Sequence, residues 1–316
     1  MKVFMFHYVK PFSNYYHFDL NLFEKTVKYL INNYKVISLK EFDYMVKNDQ
    51  NVSDEYVMLT FDDGTIDHFR YVYPVLKKYK CSGLFFLPSC IASNKMLDIQ
   101  IIHQLLEKIP IDLLFDDLKE QLLKVNISIE NFKAEKSLDI GKMALFKQLL
   151  QFKLPRDIRN SLLEYFSKKY NISLNVNENY IGINEIMRMK NDNMYFGIHT
   201  YSHPRLALLS KKEQEYEIKE NMDYLLKNKI IEGNLLSIAF PYGSYNYDTL
   251  DIMKDMNIKY GFKADNFKSN ISMEKNLIDR IDCNVLIEVV NWELYWYKKI
   301  KNNYVQNQIL KNIVIW

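Results

Sequence analysis

The feature that most restricts how this chain can fold is an alternation. Short apolar, β-rich runs are separated by stretches whose apolar residues recur every three to four positions. "KVFMFHYV" reads as a strand, and Leu20, Phe23, Val27 and Leu30 then mark one face of a helix. Asn21 followed by Glu24 supplies the expected capping signal for that helix. "KVISL" and "LKEFDYMVK" read as a short strand and a short helix. "EYVMLTF" is a strand, 66–78 a helix, and "SGLFFLP" the next strand. After an interruption the rhythm resumes with a helix at 184–190, the strand "MYFGIHT", a helix over 211–227 and the strand "LLSIAFPYG". A helix near 247–256, "KYGFKA" and a last run in "LIDRIDCNV" complete it. Such alternation favours a parallel sheet or barrel with helices outside, and chemistry in these folds gathers in the loops at the C-terminal ends of the strands.

The interruption covers about 91–180. It is mostly helical and charged, with patterns such as "IQIIHQLLEKI" and "FKQLLQFKL" and no internal repeat, and reads as a helical insertion on the rim. A chain of 316 residues that is 48% apolar can fill one large domain of this kind. Its 42 basic and 39 acidic side chains leave a net charge of +3, which argues against a nucleic-acid binder held by a basic field. Cys81, Cys90 and Cys283 form no C-x-x-C pair and read as free thiols packed as small apolar groups in a reducing compartment. The opening "MKVFMFHYVKPF" lacks the form of a signal peptide, since a histidine breaks its short apolar run and no cleavage site follows. No segment is long and apolar enough to span a bilayer. The expectation is a soluble, cytoplasmic protein.

Three strand ends carry polar clusters: "TFDDG", "GIHTYSHP" and "AFPYG". In the first, Asp62 and Asp63 stand side by side where a buried strand stops. Repulsion and desolvation both oppose that placement, so a cation is expected nearby. In the second, His199 and His203 are four residues apart. Two imidazoles and a carboxylate make a common ligand set for a catalytic metal with an open position. A dication would neutralise Asp63 and leave Asp62 ionised beside it. A zincin helix is disfavoured because Thr200, not glutamate, follows the first histidine. The same three donors also serve non-haem iron oxygenases, so the triad alone leaves the metal open. An isolated Asp-Asp-Gly is usually a turn; the weight lies in all three clusters falling, in order, at strand ends.

In those motifs the chain resembles the polysaccharide deacetylases with a NodB homology domain, carbohydrate esterase family 4. The resemblance covers roughly 1–90 and 180–285. It implies an α/β fold, a distorted (β/α) barrel of about seven parallel strands with a helical insertion. Organisation is then a barrel over 1–285, interrupted at about 91–180, followed by a helical extension over 286–316. It implies Asp62 as catalytic base, Asp63, His199 and His203 as metal ligands, and Zn²⁺ as the expected divalent metal. "FPYG" maps Pro241 and Tyr242 to the substrate groove, with the Tyr242 N–H on the oxyanion. Two departures stand out. Ala239 occupies the place of an arginine that often holds the base, and no histidine follows His203, which removes the usual general acid. "FHYV" resembles the "YHxI" start of many members, and some members use the histidine near the N-terminus as the acid, so the resemblance makes His7 the candidate. Arg280 in "DRID" is the candidate to orient Asp62, with an ordinary surface ion pair as the alternative. His17, His68 and His103 receive no role, although His68 falls close to the first cluster.

The implied activity is removal of an N-acetyl or other N-acyl group from an aminosugar in a glycan or glycan precursor. A deformylase of a lipid-linked aminosugar and a non-catalytic glycan-binding protein stay open as alternatives. The C-terminal segment carries Trp292, Tyr295, Trp296, Ile300 and Tyr304 among lysines. Packing on the barrel is the preferred reading; contact with the inner face of an anionic membrane is the other. Oligomeric state is not readable.

Overall fold

The computed structural model describes residues 1–11, 17–135, 139, 141–264 and 276–283. The expected C-terminal extension over 286–316 lies outside the described residues. Eleven strands are described: β1 (Lys2–Phe6), β2 (Tyr8–Lys10), β3 (His17–Asp19), β4 (Lys35–Val36), β5 (Tyr56–Phe61), β6 (Leu84–Leu87), β7 (Tyr195–Ile198), β8 (Ser237–Ala239), β9 (Tyr260–Phe262), β10 (Leu277–Ile278) and β11 (Ile281–Asp282). Nine form one parallel sheet in the order β10-β9-β8-β7-β6-β5-β1-β11, with β4 also on β5. β2 and β3 pair separately. The curled α/β architecture agrees with the sequence expectation.

The barrel closes through one short segment. β10 pairs with β9 and β11 pairs with β1, and only Asp279 and Arg280 separate the two. Residues 277–282 therefore act as a broken strand that hands the sheet from one end to the other, and Arg280 sits in the break.

Strand residues alternate between two apolar layers, as the period of two requires. Val57, Leu59, Phe61, Phe85 and Ile198 pack outward against helices that supply Phe23, Val27, Leu30, Ile218 and Leu225. Val3, Met58, Leu84, Phe86, Tyr260 and Phe262 fill the interior, joined by Phe42 and Met45 of the helix Leu39–Lys47. Both faces are covered, which is why the strands read as continuous apolar runs. Two local readings change. The first helix, Leu20–Asn33, is capped by Asp19, which accepts from the Leu22 N–H, and not through Asn21 and Glu24. The helix expected over 66–78 is broken into a wide turn at His68–Val72 and a regular helix at Tyr73–Lys78.

Between β6 and β7 the chain runs through helices Asp98–Lys108, Ile111–Lys124, Gly141–Gln148 and Arg156–Lys169. These share an apolar core of their own, with Ile102, Leu105, Leu114, Leu118, Phe146 and Phe166 fully or almost fully buried. The three cysteines are buried and unbridged.

Candidate metal centre

β5 delivers two carboxylates by a change of backbone. Asp62 keeps the inward parity of Met58 and Thr60. Asp63 would face outward if the strand continued, but its φ is 74°, and Gly64 follows with φ 64°. The turn thus begins at the aspartate itself and swings its carboxylate to the side of Asp62. A Cβ on Gly64 would also lie 2.8 Å from the end of the Leu87 side chain, so glycine is favoured there by its φ and by the crowding.

β7 delivers the histidines. Thr200 (φ 62°) and His203 (φ 59°) are both left-handed, and the Thr200 hydroxyl accepts from the His203 N–H at 3.0 Å. The helix Lys211–Lys227 braces this loop. Asn221 accepts from the His199 N–H at 3.0 Å and donates to the Leu87 carbonyl at 2.9 Å, and Glu217 accepts from the Ser202 N–H and hydroxyl. Tyr242, after β8, is a fourth non-glycine residue held left-handed, at φ 57°. Eight other non-glycine residues among those described are left-handed, all in turns, and each of the three strand-end clusters holds at least one as well.

The side chains converge. Nε2 of His199 and Nε2 of His203 each lie 3.3 Å from Oδ1 of Asp63, and all three residues are buried. Their ligand atoms lie within 4.8 Å of one another. The donor chemistry fits a divalent cation. The Ala239 carbonyl can only accept, so its 2.9 Å contact with His199 Nδ1 makes that nitrogen the N–H. Nε2, the nitrogen left to ligate, then faces a carboxylate oxygen. Asp63 Oδ1 and His199 Nε2 are both buried without a hydrogen-bond partner. Two facing, desolvated groups with no hydrogen bond between them are unfavourable unless a cation, a proton or a metal ion, lies between them.

Burial opposes ionisation of Asp63, yet the facing histidines hold its carboxyl far below the usual carboxylate range. Burial also pushes His203 down, to about 4, which keeps its ring neutral. For His199 burial acts downward, but the hydrogen-bonding and charge of Asp63 and the charge of Asp62 outweigh it and raise the ring above its ordinary value.

Arg280 reaches Asp62 from the closing strand. Nη1 donates to Oδ1 and Nη2 to Oδ2, both at 2.7 Å, while Nε donates to the Lys263 carbonyl at 2.8 Å and Nη1 to the Thr60 hydroxyl at 3.3 Å. Arg280 is 1% exposed and Asp62 2%. The pair is therefore a buried fork and not the surface ion pair that sequence position equally allowed. Desolvation would raise the Asp62 carboxyl, but the guanidinium, with His199 and His7, brings it below its ordinary value.

His7 follows β1, half-buried, within electrostatic reach of Asp62, Asp63 and His203. Its carbonyl accepts from His68 Nε2 at 2.6 Å, so His68 fixes the backbone beside the site. Pro241 is buried, and the Tyr242 ring stands edge-on to the His203 ring at 4.7 Å between centroids. His103 contacts the Tyr8 hydroxyl through Nδ1 at 3.1 Å.

The family model described as "Polysaccharide deacetylase" matches residues 49–122 and 165–261. This chain belongs to the polysaccharide deacetylase family. The deacetylase match passes over 123–164, the middle of the helical segment between β6 and β7. A stretch of 66 residues is 39% identical to "Putative polysaccharide deacetylase YxkH" of Bacillus subtilis (strain 168), spanning 21% of this chain and about a quarter (24%) of that relative. Among solved structures, the Streptococcus pyogenes deacetylase PplD in complex with acetate matches with a TM-score of 0.57 at 19% identity, over 89% of this chain and 91% of that one. IcaB from Ammonifex degensii matches at 0.56 and 16% identity, over 95% and 94%. At these identities the likeness is one of fold.

The residues that sequence reading passed over are the braces. Asn221 and Glu217 belong to a helical stripe with Gln214, Ile218 and Leu225, all buried. Polar residues on an otherwise apolar stripe were the available signal.

Proposed function

We propose that this deacetylase-family chain is a metal-dependent hydrolase that removes an N-acetyl or other N-acyl group from an aminosugar in a glycan or glycan precursor. The single observation that carries this reading is the pairing of a convergent Asp63, His199 and His203 set with a separate, buried, arginine-clamped Asp62. Binding alone has no use for an ionised base beside a ligand set, which disfavours a non-catalytic glycan binder.

Asp63, His199 and His203 would hold the metal, with Zn²⁺ as the ion of choice for two imidazoles and one carboxylate. When bound, such an ion supplies Lewis acidity toward an acyl carbonyl and acidifies water. Asp62 accepts the proton of the attacking water on a carboxylate oxygen. Arg280 keeps that carboxylate ionised and fixes its plane through two parallel hydrogen bonds. The Tyr242 N–H donates to the developing oxyanion, a contact of the kind worth ~3–4 kcal/mol. His7 protonates the departing amine. The structurally similar PplD, a deacetylase solved in complex with acetate, is in keeping with this chemistry.

The test is release of acetate or formate by the purified protein, with and without added divalent metals, from sugar nucleotides, lipid-linked aminosugars and neutral N-acetylated oligosaccharides. Metal-dependent release from any of them supports the hydrolase. Binding of these compounds with no acyl release under any metal refutes it.

A further inference from the structure

Two guanidiniums beside the proposed catalytic centre have no carboxylate within ion-pair distance among the described residues. Arg205, two positions after His203, lies over two rings, 4.0 Å from the Phe152 centroid and 5.1 Å from that of Tyr242. Arg159, in the helix Arg156–Lys169, donates from Nη1 to the carbonyl of Gln151, the residue before Phe152. One short segment, 151–152, therefore gathers both arginines, and both act electrostatically on Tyr242. The Nε atoms of Arg159 and Arg205 are buried and make no hydrogen bond. Asp98 and Glu135 act electrostatically on Arg159 and Arg205 without forming an ion pair with them, and Glu135 is bound to Lys153 at 2.6 Å.

We propose that Arg159 and Arg205 form an anion-binding subsite that takes the phosphate or diphosphate group joining an aminosugar to its carrier. The inference rests on the hydrolase reading above and adds a substrate class to it. A half-buried guanidinium without a carboxylate at ion-pair distance carries a desolvation cost that an anion offsets and a neutral hydroxyl does not. The Nη groups of Arg205 make no hydrogen bond among the described residues and, unlike its Nε, are not buried, which suits a two-point contact with phosphate. The subsite neighbours the proposed metal ligands through Tyr242, whose ring packs on His203. Phe152 and Arg159 lie in the segment that the family model passes over, whereas Arg205 lies in the matched part, so the subsite joins the two.

Calorimetric titration of the full, zinc-loaded protein tests it, with inorganic pyrophosphate, N-acetylglucosamine 1-phosphate and a neutral N-acetylglucosamine oligomer as probes. The phosphorylated probes should bind, with an affinity that falls as salt rises. Arg205→Met and Arg159→Met should each weaken them about tenfold or more, the loss expected for a charge-assisted fork, and Arg205→Lys should fall between. Zinc content and melting temperature serve as checks that each variant is folded. If a variant misfolds, Arg205→Lys and Arg159→Gln carry the comparison. Unchanged affinity in folded variants, or tighter binding of the neutral oligomer than of both phosphorylated probes, overturns the subsite. A nucleotide-linked and a lipid-phosphate-linked aminosugar then identify the carrier by the tighter binding. Failure of the hydrolase reading looks different: no acyl release from any compound, with arginine-dependent phosphate binding retained.

Discussion

Replacing Arg280 by methionine keeps most of the side-chain volume and removes the charge that opposes desolvation of Asp62. Four hydrogen bonds go with it, two of them at 2.7 Å to the carboxylate. Both partners are almost fully buried, so solvent screening takes little from the interaction. Breaking a buried pair of this kind costs ~3–5 kcal/mol, because one charge is left uncompensated. At ~2 °C per kcal/mol for a chain of this size, the melting temperature should fall by ~6–10 °C at pH 7. The pH dependence gives the sharper test. In the wild type the Asp62 carboxyl lies below its unfolded value of ~3.9. Its contribution is therefore present above that pH and is lost as pH falls through the folded value. In Arg280→Met the largest remaining influence is burial, which raises the carboxyl, so the penalty is greatest at neutral pH and fades as the group protonates. The difference in melting temperature between wild type and variant, followed by circular dichroism from pH 7 to pH 3.5, should narrow as pH falls. A constant gap, or a loss under 1 °C at pH 7, would show that the guanidinium does not hold Asp62 charged.

Other outcomes follow from the same geometry. His7→Gln should lower kcat ~10²–10⁴-fold in the acyl-release assay while zinc content stays at the wild-type level; an unchanged kcat assigns the amine proton to another group. Zinc affinity should weaken on acidification through the ordinary histidine range, because the raised His199 holds a proton that the metal must displace, whereas His203, already down to about 4, adds no competition there. A chelator-competition titration that is flat from pH 5 to pH 8 contradicts this. Leu118→Ala, at a fully buried position in the separate helical core, should cost ~2–5 kcal/mol. Hydrogen exchange should then rise in Ile111–Lys124 and its neighbours before β5 and β7; equal loosening of the barrel strands would show that the two cores open as one.

Much of the site was legible because a parallel strand buried on both faces reads as an apolar run, and the residue type changes abruptly where the run stops. Asp62, Asp63, His199 and His203 all fall at such stops. What sequence could not supply was direction and distance. Period-two alternation sends Asp63 away from Asp62, and only its own left-handed φ reverses this. Arg280 stands 218 positions from Asp62, and the contact exists because the broken strand 277–282 closes the sheet beside β1. The Asp19 cap was hidden by a plausible signal two residues later. Phe152 and Arg205 meet across an insertion whose pattern shows amphipathic helices but not where they rest.

Metal analysis of four purified proteins bears most directly on the central claim. Wild type and Asp62→Asn should each hold about one equivalent of zinc after loading and desalting, with Asp62→Asn losing turnover only. Asp63→Ala and His199→Ala should hold almost none. Full zinc occupancy in His199→Ala would contradict the ligand set, and with it the separation of one aspartate for the metal from its neighbour for the proton.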